Sequence, residues 1–258
     1  MNRHLPSGLH YSDEGAGPAI ICLHSMAGSA RMWDGLAAAA VANGRRVVRF
    51  DARQHGRSAG CGGFTIERNA RDALDLLDQL QIERCQVVGI SMGGQTAMHM
   101  AVAQPQRLGA LVLANTSAGG NAGGAKRIDA VLSRIAEIGY QAFAEEYVAS
   151  RMAKGRKAPG FAAYVADALA SGPDGYGAAL RSIVAQDLVS VLPRIAHPAL
   201  LIAADRDPST TPEMMRRLGD GLPNAQYLEL QDAGHFSCLD QPEAFQQATL
   251  GFLQRQPL

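Results

Sequence analysis

The stretch Gly89-Ile-Ser-Met-Gly93 places a serine between two glycines, directly after the apolar, β-branched run 85–90. A serine hydroxyl is a weak nucleophile until it is exposed and a base stands ready to take its proton. The G-x-S-x-G spacing exposes it when it joins a strand to a helix. The turn is then strained, the oxygen stands above the carboxyl edge of a sheet, and the flanking positions are glycine because a Cβ would clash. The run before Ser91 reads as the strand and the stretch 95–104 as the helix, so Ser91 is the candidate nucleophile. The backbone N–H of Met92, in the first turn of that helix, would face a substrate oxygen and help stabilise an oxyanion.

A base and an orienting carboxylate must complete such a site. Of the seven histidines, His235 follows the last predicted strand, in Asp232-Ala-Gly-His-Phe236, and precedes a helix. His24 ends a buried strand and reads as a brace for the loop that follows. His55 reads as a residue that holds its own loop together by hydrogen bonds. His99 lies eight residues beyond Ser91, too far along the helix to return to its start, and His4, His10 and His197 have no supporting context. The acid should follow the penultimate core strand, which ends at Ala204. Asp205 and Asp207 are both there; Asn115, at the other strand end that could carry an acid, cannot act as a carboxylate. Asp207-Pro208 sits deeper in the loop, where the chain can turn toward His235, whereas Asp205 at the strand end is more often a turn or cap residue. Asp207 is therefore preferred, with Asp205 as the alternative. A second oxyanion donor should come from the loop after His24, and the N–H of Met26 is the candidate; Ser25 beside it either adds its hydroxyl or packs.

The elements that must position these residues are legible as alternation. Strands are predicted over 9–14, 19–24, 46–51, 85–90, 108–114, 199–204 and 225–230. Helices are predicted over 32–42, 66–80, 95–104, 211–218 and 242–253. Strand–helix alternation implies a parallel sheet covered on both faces. The segment 119–192 breaks the rhythm. It has no convincing strand, but Ile128, Val131, Leu132 and Ile135 form one helical face. Phe161, Tyr164, Val165 and Leu169 form a second, and Tyr176, Leu180, Ile183 and Val184 a third. It reads as a helical cap inserted into a core made of 1–118 and 193–258, with the glycine-rich stretch 119–124 as its hinge.

Composition narrows the function. The chain has 258 residues, 47% hydrophobic and 19% charged, and 24 basic residues balance 24 acidic ones. Such a balance gives no electrostatic footprint for nucleic acid or a membrane surface. The four cysteines (Cys22, Cys61, Cys85 and Cys238) are scattered singly, without a C-x-x-C pair for zinc or redox work. The N-terminal residues lack the apolar run of a signal peptide, and no stretch of about 18 apolar residues occurs. The expectation is a cytoplasmic protein needing neither metal nor organic cofactor, with a small molecule as its partner and a homo-oligomer left open.

These residues resemble the α/β-hydrolase superfamily over essentially the whole chain. The likeness is carried by Leu23-His-Ser-Met-Ala-Gly28 with Met32-Trp33-Asp34, by 51–58, by Gly89-Ile-Ser-Met-Gly-Gly94, and by Asp207-Pro208 and Gly234-His235. Within the superfamily the chain is most similar to 3-oxoadipate enol-lactonases, through 25–33, Leu111-Val-Leu-Ala-Asn-Thr116, Gly175-Tyr176 and Gln186-Asp187-Leu188. The order Ser91, Asp207, His235 is the superfamily's nucleophile–acid–base order. It departs from the pattern where Ser25, not glycine, follows His24, where Gln54 replaces a common glycine, and in a cap without tryptophan. Dehalogenases and epoxide hydrolases of this likeness use aspartate at the elbow, so Ser91 implies acyl transfer to water. The resemblance implies hydrolysis of a small ester or lactone, with an enol-lactone of aromatic catabolism as the specific expectation. Other readings are a carbon–carbon bond hydrolase of ring-cleavage products, a ligand receptor on a hydrolase fold, and a cofactor-free oxygenase. An enol-lactone acid would need a cation for its carboxylate; Arg127, Arg134, Arg151, Lys154, Arg156 and Lys157 are candidates, none preferred.

Overall fold

The computed structural model describes residues 2–5, 7–119, 124–256 and 258. Strands β1 (Asn2–His4), β2 (His10–Gly15), β3 (Ala19–Leu23), β4 (Arg46–Phe50), β5 (Cys85–Ile90), β6 (Leu108–Ala114), β7 (Ala199–Ala204) and β8 (Ala225–Leu230) form one sheet. Its order is β1-β2-β4-β3-β5-β6-β7-β8. β1–β2 and β2–β4 pair antiparallel; β4–β3 and every pair beyond it to β8 are parallel. The expected mostly parallel α/β sheet is what forms, with β1 as an added edge strand that the periodicity did not suggest.

β3, β5, β6 and β7 are buried at every position, as strands covered on both faces must be. Side chains alternate between two apolar layers. Val88, Ile90, Val112 and Ile202 face one layer with α1 (Asp34–Ala42) and the last helix; Val87, Leu111, Leu113 and Leu201 face the other. That second layer receives α2 (Ile66–Gln79) and α3 (Met92–Ala103). Thr65 caps α2, its hydroxyl accepting from the Arg68 N–H at 3.1 Å. Helix α3 begins at Met92, three residues before the predicted start, because the elbow itself supplies its first turn.

Between β6 and β7 the chain leaves the sheet for α4 (Gly124–Ile138), α5 (Tyr140–Arg151) and α6 (Phe161–Val184). The sequence suggested three helical faces here. The second and third are the two helical segments of α6, separated at Gly172, whose φ 64° and ψ 171° are non-helical, directly before Pro173. The structure adds α5, which buries Phe143, Ala144, Tyr147 and Val148. Residues 120–123, most of the expected hinge, lie outside the described residues. The core resumes through α7 (Pro212–Gly221), the short α8 (Ser237–Asp240) and α9 (Pro242–Gln254), with α7 on the second layer and α9 on the first.

The elbow depends on close backbone approach. A Cβ on Gly93 would sit 2.0 Å from the Leu23 carbonyl oxygen, and one on Gly89 2.4 Å from the Gly93 oxygen. Gly93→Ala should therefore force β3 away from α3. The expected loss is about 3 kcal/mol, a fall in Tm of about 6–12 °C, measured by circular dichroism; an unchanged Tm would disprove the packing argument.

Candidate active site

β5 delivers Ser91 at its carboxyl end with φ 55° and ψ −114°, a conformation that a residue with a Cβ rarely takes. The Ser91 N–H donates to Ala114 O at 2.9 Å, and its carbonyl accepts from the Thr116 hydroxyl at 2.7 Å and the Gly94 N–H at 2.9 Å. The backbone is thus held between β6 and α3 while the side chain stays partly exposed. Ser91 and His235 line the same cavity, of about 240 Å³, with Met26, Gln95, Tyr147 and Thr210 among its other walls.

The loop after β7 and the loop after β8 meet across the sheet edge. His235 Nδ1 lies 2.7 Å from Asp207 Oδ2, both side chains almost fully buried. A carboxylate can only accept, so Nδ1 carries a proton, and in the neutral tautomer that this selects the lone pair is on Nε2. Asp207 is held from several sides. Oδ1 accepts from the N–H groups of Ser209 and Thr210 at 2.8 and 3.1 Å. Oδ2 also accepts from the Thr210 hydroxyl at 2.5 Å and from Asn115 Nδ2 at 2.9 Å. Burial opposes ionisation of Asp207, but the charge and hydrogen bond of His235, with the donors from Thr210 and Ser209, outweigh it. The carboxyl is held well below the usual carboxylate range. Asp205, the alternative acid, accepts from the Ala233 N–H at 3.0 Å and bridges the two loops without meeting His235.

Met26 follows β3 in a tight loop and lines the cavity. The Ser25 carbonyl accepts from the Gly28 N–H at 3.0 Å and from His24 Nδ1–H at 2.7 Å. His24 Nε2 in turn accepts from the Ala52 N–H at 2.9 Å, which fixes the neutral tautomer. Burial pushes the His24 imidazolium pKa down, with Asp51 and the Ser25 carbonyl pulling the other way. His55, whose Nδ1 bonds Arg53 O at 2.8 Å, is lowered to about 3 by burial and by neighbouring His24. Met92, the other expected donor, is the first residue of α3, immediately after Ser91. His99 lies away from this set, 2.5 Å from Gln186 Oε1.

Three supporting groups were not found in the sequence. Asn115, set aside because it is not an acid, donates to Asp207 and accepts from the Ser237 hydroxyl at 2.6 Å. Its place at the carboxyl end of β6, beside the β7 loop, was the available signal. Thr210 was overlooked although it stands three residues after Asp207. Tyr147 was overlooked because α5 was, although Phe143, Tyr147 and Arg151 recur at helical spacing. Of the six basic candidates, Arg127 and Arg151 line the cavity. Arg134 pairs with Glu137 and Glu146, and Arg156 with Glu145. Among the described residues no group of three or more His, Cys, Asp or Glu side chains could hold a metal ion. No described helix is long and apolar enough to cross a membrane.

A family model described as alpha/beta hydrolase fold matches residues 18–242. The chain is 32% identical to 3-oxoadipate enol-lactonase 1 of Acinetobacter baylyi, over 92% of this chain and 89% of that protein. It is 30% identical, over 96% of each chain, to a Variovorax paradoxus protein with the provisional name carbamate hydrolase RutD. The crystal structure of the enol-lactonase from Burkholderia xenovorans superposes with a TM-score of 0.87 at 30% identity, covering 96% of both chains.

Removing the Asp207 charge should be costly in rate. Asp207→Asn is expected to lower kcat for p-nitrophenyl acetate by about 10⁴, measured at steady state. A carboxyl held below its unfolded value stabilises the fold above about pH 4, and that contribution is lost as pH falls through the lower native value. Tm measured from about pH 7 down to pH 3 should accordingly fall less steeply in Asp207→Asn than in the wild type.

Proposed function

The chain belongs to the alpha/beta hydrolase family, and from that premise we propose that it is a serine hydrolase cleaving a small ester or lactone through an acyl-enzyme. The observation that carries the reading is the buried Asp207–His235 pair facing the cavity that Ser91 lines. Ser91 Oγ attacks the carbonyl carbon while His235 Nε2 takes its proton. The resulting oxyanion is received by the N–H groups of Met26 and Met92. Collapse breaks the carbon–oxygen bond, and His235 returns the proton to the departing oxygen. Water then attacks the acyl-enzyme with His235 again as base, and the second collapse restores the Ser91 hydroxyl and releases the acid. The side chains of this chain suffice for every proton transfer, and the two oxyanion donors are worth about 2.7–4 kcal/mol each. The insertion 119–192 acts as the cap that shapes the acyl pocket.

Within that class the preferred substrate is a lactone bearing a free carboxylate, of the 3-oxoadipate enol-lactone type. Two features support it: the similarity to enol-lactonases, and the two cavity-lining guanidinium groups of Arg127 and Arg151. Arg151 also lies over the Tyr147 ring, 5.0 Å from its centroid, which keeps the charge at the cavity wall.

In a p-nitrophenyl acetate assay the wild type is expected to show an acyl-enzyme burst or steady turnover, and Ser91→Ala to lose both. Full activity in Ser91→Ala would remove the nucleophile from the scheme. For the substrate class, Arg127→Gln is compared on a carboxylate-bearing lactone and on p-nitrophenyl acetate. Losing a charge-assisted hydrogen bond should lower kcat/KM for the acid about tenfold more than for the neutral ester. Equal losses would count against an anionic substrate.

A further inference from the structure

Tyr147 occupies a place that packing alone does not require. It sits on α5, is 6% exposed, and lines the cavity together with Ser91, His235 and Met26. Its hydroxyl donates to the Met26 carbonyl oxygen at 3.2 Å. That carbonyl belongs to the peptide unit immediately after the Met26 N–H. The peptide unit before it is already fixed, because Ser25 O is held by His24 and by the Gly28 N–H. Met26 therefore lies between two anchored peptide planes, one tied to the sheet side and one to the insertion. The residue after it, Ala27, has φ 57°, a conformation disfavoured for a residue with a Cβ. Rotation of the Met26–Ala27 peptide unit would relieve that φ; the Met26 N–H belongs to the preceding unit and follows only if the Met26 Cα between the two planes shifts, and the Tyr147 hydrogen bond opposes that shift.

The phenol is itself well placed to hold. Its ring stacks on Phe143 with centroids 6.3 Å apart and meets Tyr176 edge-on at 5.2 Å, while Arg151 covers its face. One turn further along α5, the Arg151 carbonyl accepts from the Phe236 N–H at 2.9 Å. The Asp240 carboxylate accepts from both the Ala153 N–H at 2.9 Å and the Gly234 N–H at 2.8 Å. The end of the same helix is thus sewn to the loop that carries His235. One insertion helix reaches the oxyanion loop at Tyr147 and the histidine loop just past Arg151.

We propose that Tyr147 is a positioning residue that aligns the Met26 N–H for the oxyanion, so that a complete oxyanion hole requires α5 to be docked on the core. The inference rests on the serine-hydrolase reading above, with Met26 as donor. A donor already aimed at the place where charge develops stabilises the transition state without reorganising during the reaction. The hydrogen bond of the Tyr147 hydroxyl goes to the Met26 backbone, with the Ser25 side chain beside it, so its effect passes through the loop that carries the donor.

The test uses Tyr147→Phe, which keeps the stacked ring and removes only the hydroxyl, alongside Ser91→Ala. The first probe is phenylboronic acid, which adds to a nucleophilic serine as a tetrahedral mimic and needs no turnover. The wild type should bind it and Ser91→Ala should not; if both bind alike, or neither binds, the serine reading fails and this inference falls with it. With that control in place, Tyr147→Phe should bind the boronate about tenfold more weakly. It should lower kcat for p-nitrophenyl acetate by a similar factor, a fraction of the 10²–10³ that loss of a whole oxyanion donor costs. KM should stay within about twofold and Tm should be unchanged. Boronate affinity and kcat that both remain at wild-type levels would overturn the proposal while leaving the serine reading intact. A parallel loss of KM, Tm and boronate affinity would also overturn it, because general loosening of α5 would then explain the whole effect.

Discussion

Ser91 is held in a backbone conformation that a residue with a side chain would leave if its surroundings allowed, at a cost of order 1–3 kcal/mol. They do not allow it. The Ala114 carbonyl fixes the serine N–H, the Thr116 hydroxyl fixes its carbonyl, and α3 starts at the next residue. Gly93 permits the backbone of α3 to lie directly against the end of β3, a contact with no room for any other residue. The loop of Met26 follows β3 immediately, so the same contact sets the distance between Ser91 and Met26. The central parallel strands are thus more than a scaffold: their close spacing makes the elbow possible and brings the surrounding loops within reach of it.

The second constraint is electrostatic. A carboxylate as buried as Asp207 survives in charged form only if every lone pair direction is used. Here two backbone N–H groups, a hydroxyl, an amide and an imidazole all point at it. Asn115 is the link between this cluster and the rest of the fold. It comes from β6, next to the elbow strand, and passes from Asp207 to Ser237 just beyond His235. His235 is therefore located both by its own loop and by a chain of hydrogen bonds that begins one strand away from Ser91.

Much of this was legible in the sequence because it obeys local rules. Apolar β-branched runs announced β3 to β7, and the glycine spacing around Ser91 announced the elbow. The position of Asp207 and His235 after successive strands is a consequence of parallel topology, which fixes which loops share an edge. What was missed depends on tertiary context. Helix α5 carries Glu145, Glu146 and small residues between its aromatics, so its buried face is narrow and its periodicity faint. Asn115 was judged by its chemistry, when its use lies in hydrogen bonding to an acid supplied by a segment ninety-two positions away. The basic residues of the insertion could not be told apart in sequence either. Whether a guanidinium meets a glutamate or a cavity is decided by how three helices pack, and that packing separated Arg134 and Arg156 from Arg127 and Arg151.

The imidazoles behind the Met26 loop carry a thermodynamic consequence of their own. His24 works as a brace only while Nε2 is unprotonated, since it must accept from the Ala52 N–H. His55 beside it remains neutral down to about pH 3. In the unfolded chain both would titrate near about 6.5. Unfolding in mild acid is therefore coupled to proton uptake at both sites, and at His55 this withdraws about 1.4 kcal/mol of stability per pH unit between about 6.5 and about 3. This loss begins some two to three pH units above the one at the buried carboxylate. Mild acid therefore bears on the wall of the site beside Met26 before it bears on the Asp207–His235 pair.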